Sequence, residues 1–159
     1  MHSSSKLTVR AGLRSLHLVD IENLVGNPRA EAGAVLATFD RYLRAARWTA
    51  GDHVIVAANP GLMGKVIFDL PVPANVHCAP GRDGADGKLL DAVAPRTICA
   101  RYDRLVIGSG DAIFFPRARD VRAAGLAVEV IARPDGCSRR LHQFAPTFVR
   151  PASDVVLAA

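Results

Sequence analysis

The sequence predicts a three-layer α/β/α domain built on a central, mainly parallel sheet of five strands. Three observations carry this. Short apolar runs alternate with helical patterns along most of the 159 residues. Half of the residues are apolar and only 6% are aromatic, with Ala and Val prominent, as suits helices packed on a buried sheet. Two of the apolar runs, LHLVD and RLVIGSGD, end in a carboxylate, Asp20 and Asp111. A strand that closes on a charge costs stability unless something at its carboxyl end uses that charge, and the carboxyl ends of parallel strands are where ligands bind.

The elements follow in order. Leu16 to Val19 is a short apolar strand, after which Asn27-Pro28 offers an N-cap and a first-turn proline. The helix expected behind them, through about Arg47, sets Val35, Phe39, Leu43 and Ala46 on one stripe. HVIVAA reads as a buried strand, and Asn59-Pro60 repeats the cap-plus-proline device before a short helix through about Phe68. NVHCA is a third, weaker strand. A helix is expected from about Asp86, interrupted at Pro95 and resumed through Ala100. RLVIGSG is the fourth strand, Phe115 to Ala124 a helix ended by Gly125, and LAVEVIA the fifth strand. Ser138 is suited to cap a last short helix, SRRLHQFA. One domain over residues 16–150 is expected, with a loosely held extension over 1–15 and a tail over 151–159 that reads either as an added edge strand or as an exposed LAA end.

Composition narrows the function classes. The net charge of +5, mostly from Arg, is compatible with a polyanionic partner. Cys78, Cys99 and Cys137 show no CxxC spacing or paired His, so structural zinc is not expected and the thiols read as reduced and mostly buried. No apolar run approaches the roughly 20 residues of a membrane span, and MHSSSKLTVRAG has no apolar stretch after its Lys, so a soluble cytoplasmic protein is expected. A homodimer is compatible with the chain.

Between the two strand-end acids lies a third acidic segment, GRDGADGKLLDAV, with Asp83, Asp86 and Asp91. Carboxylates gathered at one point repel one another and resist ionisation, which a divalent cation among them relieves. VDIENLVG, GADGKLLDAV and IGSGDAIFFPRARDVRAAG, in this order and spacing, resemble the NYN branch of the PIN-like nuclease superfamily, over about residues 16 to 145. The resemblance implies a parallel α/β sheet whose acids hold Mg²⁺ or Mn²⁺ for RNA phosphodiester hydrolysis. By match it makes Asp20 the first-strand acid, Asn23 its motif asparagine, Asp86 the acid of the central helix, and Ser109 and Asp111 the fourth-strand pair. Asp91 would be a fourth acid, although it lies about 140° around an ideal helix from Asp86. Many relatives carry a second acid two positions after the SGD aspartate, where this chain has Ile113.

With those roles, Asp20, Asp86 and Asp111 would be metal ligands, Asn23 would orient a carboxylate or a water, and Ser109 would bind phosphate or fix the Asp111 rotamer. Gly108 and Gly110 would let the backbone approach the phosphate. Lys65, Arg82, Lys88 and Arg117 are candidate phosphate contacts. Glu22 would stay in the site or pair with an Arg, and Asp83 reads as a loop acid. Against each acid stands the plainer reading that an Asp after a strand caps the next helix. His17, His53, His77 and His142 read as packed, and Tyr42 and Trp48 as core or edge residues. The expected function is a metal-dependent ribonuclease. The alternative is an RNA-binding or regulatory module with weak turnover because of Ile113. A phosphotransferase of the haloacid dehalogenase type ranks below both, since its second aspartate is here Glu22.

Overall fold

A computed structural model describes residues 13–81 and 83–153. Its six strands are β1 (Ser15–Asp20), β2 (His53–Ala58), β3 (Asn75–Cys78), β4 (Arg104–Gly108), β5 (Ala127–Ala132) and β6 (Thr147–Phe148). They form one sheet in the order β3-β2-β1-β4-β5-β6, every pair parallel. Helices α1 (Ile21–Val25), α2 (Ala32–Ala45) and α3 (Pro60–Val66) connect β1 to β2 to β3. Helices α4 (Gly84–Ala92) and α5 (Pro95–Arg101) lead back to β4, and α6 (Phe115–Ala123) joins β4 to β5. The three-layer fold is as expected, with six strands rather than five. β6 escaped sequence reading because it has only two residues, both exposed, and so no alternation to recognise.

Strand parity divides the core. Val54, Val56, Val19 and Val106 pack with Phe39, Tyr42 and Leu62 of α2 and α3 on one face. Leu16, Leu18, Ile55, Leu105 and Ile107 pack with Leu89, Ile98 and Val121 of α4, α5 and α6 on the other. Strand order reverses between β1 and β4, the central pair in register from Ser15↔Arg104 to Val19↔Gly108. In open α/β sheets the crevice at such a reversal, outside the carboxyl ends, is the ligand site. Asp20 and Asp111 leave the sheet on either side of it.

The first crossover differs from the sequence expectation. Asp20 itself caps α1, accepting from the Asn23 amide at 3.1 Å, and α2 begins only at Ala32. Asn27 Oδ1 instead accepts from the Arg29 amide within the intervening turn. The Asn59-Pro60 start of α3 is as expected, with Asn59 Oδ1 accepting from the Leu62 amide at 2.8 Å, and Ser138 Oγ accepts from the Arg140 amide at the start of a 3₁₀ helix, Arg139–Phe144. The tail's first residues are pinned to α2: the Ala152 amide donates to Thr38 Oγ1 and Arg41 to the Arg150 carbonyl. Residues 1–12 and 154–159, including the LAA end, lie outside the described residues. Among the described residues no helix is long and apolar enough to cross a membrane.

Cys78 is exposed and Cys99 and Cys137 are half-buried, so the thiols are less buried than the sequence suggests. Among the described histidines His17 is packed as expected, whereas His53 and His77 are half-buried and His142 is exposed. His17 is fully buried between the Asp52 carboxylate at 3.0 Å from Nε2 and the Tyr42 hydroxyl at 2.9 Å from Nδ1. The carboxylate only accepts, so Nε2 carries the proton and Nδ1 accepts from Tyr42. Burial pushes His17 down and Tyr42 well up, keeping the ring neutral and the phenol protonated. Burial works against the Asp52 charge, but hydrogen bonds from His17 and from the Ser15 and Thr49 amides hold its carboxyl below the usual range. Tyr42→Phe strands a buried ring nitrogen and is expected to cost about 1–3 kcal/mol of stability, read by denaturant titration. An unchanged midpoint would show that the relay contributes nothing.

Candidate functional site

Asp20 shares strand parity with Leu16 and Leu18, so its carboxylate faces the layer that holds α4. Asp86 stands in the first turn of α4, between the core residues Ala85 and Leu89. From β4 the chain runs Gly108-Ser109-Gly110-Asp111, and Asp111 Oδ1 caps the 3₁₀ turn Ala112–Phe114 through the Ile113 amide at 2.9 Å. Both strand-end acids are therefore helix caps, each through one oxygen, with the rest of the carboxyl group left to the cleft. The cleft, about 290 Å³, is lined by Asp20, Glu22, Asn23, Asp83, Ala85 and Asp111.

Asp86 lies beneath that lining, 3% exposed, and its Oδ1 has no hydrogen-bond partner among the described residues. Burial pushes its carboxyl up to about 9, and the neighbouring Asp20 and Asp111 carboxylates add to the shift. The three acids thus bear on one another, as the sequence anticipates. Asp91 does not join them: it is exposed and bears on Arg117 of α6. The position some 140° around α4 accounts for this.

Asn23 braces the site. Its Oδ1 accepts from the Gly110 amide at 2.8 Å, joining the end of β1 to the end of β4, and its carbonyl accepts from Arg133 at 3.3 Å. Ser109 is fully buried and its Oγ accepts from the Asp111 amide at 3.2 Å, so it positions Asp111 rather than reaching for phosphate. The two motif glycines also serve packing. A Cβ on Gly108 would stand 2.7 Å from the Tyr42 ring, and one on Gly110 would stand 1.8 Å from the Gly136 carbonyl oxygen.

Two site residues were undervalued in the sequence. Glu22 lines the cleft and accepts from the Asn59 amide at the end of β2, and Asp83 lines it without spending its side chain on capping α4. Glu22 was signalled by its place in the VDIEN motif, two residues after Asp20.

The basic candidates fare differently. Arg117 donates to the carbonyls of Val93 at 2.7 Å and Leu90 at 3.0 Å, tying α6 to the α4–α5 junction. Lys65 donates to the Ala30 carbonyl at 3.0 Å in the opposite helical layer. Both are spent on backbone: Arg117 on carbonyls that the end of α4 leaves open, Lys65 on a carbonyl in the turn before α2. Lys88 is exposed on α4, and Arg82 lies outside the described residues. A larger recess of about 770 Å³ sits at the amino edge, but Arg14 there already bonds Asp103 through its amide and the Gly51 carbonyl through its guanidinium.

The donor set can be tested against Mg²⁺ or Mn²⁺. Among the described residues no group of three or more His, Cys, Asp or Glu side chains is arranged ready to hold a metal ion. The chemistry of the donors nevertheless fits a hard cation: all are oxygens, and a buried carboxyl oxygen without a partner belongs to a group that two further carboxylates act on. Mg²⁺ retains several of its waters, so a loose ring of carboxylates serves it.

No family model and no curated protein matches the chain. Among solved structures it is similar to the crystal structure of a protein of unknown function from Vibrio parahaemolyticus, with a TM-score of 0.57 and 20% identity, covering 94% of this chain and 96% of that one. At that identity the likeness establishes the α/β fold.

Proposed function

We propose that the chain is a metal-dependent ribonuclease of the PIN-like type, hydrolysing RNA phosphodiester bonds at the cleft where Asp20, Asp86 and Asp111 meet. The observation that supports it best is Asp86, a buried carboxyl with one oxygen unpartnered among the described residues and under the influence of the Asp20 and Asp111 carboxylates. A group so placed costs stability, and costs of that kind concentrate at functional sites.

Asp20, Asp86 and Asp111 would hold the cation. When bound, Mg²⁺ or Mn²⁺ supplies activation of a water and neutralisation of charge developing on the phosphate. The chain's own residues do the rest. Asn23 fixes the separation of the β1 and β4 ends through Gly110, and Ser109 fixes the backbone of Asp111. Glu22 and Asp111, both half-buried at the cleft wall, are the carboxylates placed to take the attacking water's proton.

The test is cleavage of single-stranded RNA with Mn²⁺, with Mg²⁺ and with EDTA, beside Asp111→Asn. Cleavage is expected with either metal and to stop in EDTA. Asp111→Asn should slow it by about a hundredfold or more, the scale of losing a transition-state electrostatic contact. Turnover that survives EDTA and the variant alike would sink the reading.

One observation favours a second reading, an RNA-binding module with weak turnover. Ile113 is 40% exposed beside Asp111, at the position where many PIN-like relatives carry an acid. RNA bound by the wild type yet left intact with every metal would select it, and Ile113→Asp would then be expected to restore cleavage.

A further inference from the structure

We propose that the exposed face shared by α6 and the 3₁₀ helix Arg139–Phe144 is a track for a single-stranded RNA backbone leading into the acidic cleft, an inference that rests on the ribonuclease reading above. The two elements carry five arginines, Arg117, Arg119, Arg122, Arg139 and Arg140, against one acid, Asp120. Arg117 turns inward to backbone carbonyls. The other four are exposed.

What distinguishes this face is how its cations are held. The Arg119 and Arg140 guanidinium groups both lie over the Phe115 ring, each 5.8 Å from its centroid, and Arg122 lies 4.2 Å over Phe144. An arginine laid on an aromatic face keeps its forked donors pointing outward and loses less side-chain freedom when it grips a phosphate. A guanidinium plane can also stack on an unpaired base. Asp120 offsets little of this, since its pair with Arg119 joins two side chains that are each 57% exposed and therefore well screened. The opposite helical layer differs in its ring contacts: Arg44 pairs with Asp40 one helical turn away and Arg47 with Glu129, and among the described residues neither guanidinium lies over an aromatic ring.

Position ties the strip to the cleft. Asp111 caps the 3₁₀ turn Ala112–Phe114, and Phe115 follows directly as the first residue of α6. Phe115, with Arg140 over its ring, thus begins α6 four residues after the cleft acid Asp111, and Arg119 and Arg122 continue the strip along α6. This reassigns backbone contact from Arg117 and Lys65, which are tied to backbone carbonyls, chiefly to Arg119, Arg139 and Arg140, since Arg122 also donates to the Gln143 carbonyl at 3.3 Å and to its side-chain oxygen at 3.4 Å.

The experiment measures binding of a fluorescent oligouridylate to the full chain in EDTA, as a function of salt, so that no turnover is needed. Wild type is compared with the triple variant Arg119→Gln, Arg139→Gln, Arg140→Gln and with Arg44→Gln on the opposite layer. Three lost phosphate contacts at about 0.7 each should flatten the log–log salt slope by about 2. Over a fourfold rise in salt, wild type should then lose about twentyfold more affinity than the triple variant. Arg44→Gln should keep the wild-type slope. Arg119→Lys with Arg140→Lys should keep the slope while weakening binding, because charge remains and the stacked fork is lost. A triple variant with the wild-type slope overturns the proposal, as does displacement of the RNA by polyglutamate at equal charge. Cleavage that persists beside an unchanged slope would fail the track and leave the ribonuclease. A slope lost in the triple variant, with no cleavage under any metal, would do the reverse.

Discussion

Gly110→Ala is expected to lower stability by at least about 3 kcal/mol, or about 6–12 °C in melting temperature for a domain of this size, and to dismantle the cleft. The added methyl would stand 1.8 Å from the Gly136 carbonyl oxygen, 2.7 Å from its carbon and 2.8 Å from the Cys137 Cα. All three are backbone atoms, so no side-chain rotation relieves the clash. The loop at Gly136 is moreover tied to the same residue, since the Ser138 amide donates to the Gly110 carbonyl at 2.8 Å. Pushing Gly110 away would also break its amide's bond to Asn23, which joins β1 to β4 beside the acids. Gly64→Ala in α3 supplies the contrast. Nothing stands within 4 Å of a Cβ there, and alanine in a helix interior should add about 0.5–1 kcal/mol. Thermal melts of the two variants check both signs, and a Gly110→Ala protein that melts with the wild type would remove the packing argument for the motif.

That contrast also shows what could be read from the chain before its structure. Asp20 and Asp111 were legible because a charge at the end of an apolar strand is a local anomaly, and parallel topology then sends both to one edge. Asp86 was visible as one of three acids in GRDGADGKLLDAV, but only the resemblance singled it out as the central-helix acid; its burial depends on how α4 packs on the sheet. The purpose of Gly108 and Gly110 was not legible, because Tyr42 and Gly136, which exclude a Cβ there, are remote in sequence. Arg117 and Lys65 misled for a related reason. Their partners are the carbonyls of Leu90, Val93 and Ala30, which sequence shows only as generic backbone. The start of the first crossover failed locally. Asn27-Pro28 is a good cap signal, yet Asp20 had already capped α1, and Asn27 was left to a turn. The strip on α6 was hidden by composition, since an Arg-rich helix looks the same whether its cations are solvated or laid on rings.

Asp86→Asn is expected to raise the melting temperature in EDTA at pH 8 and to remove most of the decline in stability between pH 5 and 9. The sign follows from the direction of the shift. The folded carboxyl is raised to about 9 from an ordinary value of 3.8, first by burial and then by Asp20 and Asp111. Between those values the folded chain keeps a proton that the unfolded chain releases. Stability from this group is therefore fully present below about pH 3.8 and falls as pH rises through 9, by at most about 1.4 kcal/mol per pH unit. Asparagine carries no such proton and presents amide donors where a carboxyl met two carboxylates, so the slope should vanish. Each kcal/mol recovered should appear as about 2–4 °C. Mn²⁺ acts on the same proton. To take Asp86 as a ligand a cation must displace it, so metal should stabilise the wild type by about 2.7 kcal/mol at a hundredfold excess over its dissociation constant, and one fixed metal concentration should stabilise it more at pH 8 than at pH 6. Asp86→Asn should lose most of that metal response, and Asp20→Asn, which removes one of the pressing carboxylates, should share the rise in EDTA. Melting curves of wild type and Asp86→Asn that superimpose from pH 5 to 9, with and without Mn²⁺, would mean that the three acids neither strain the fold nor gather a cation.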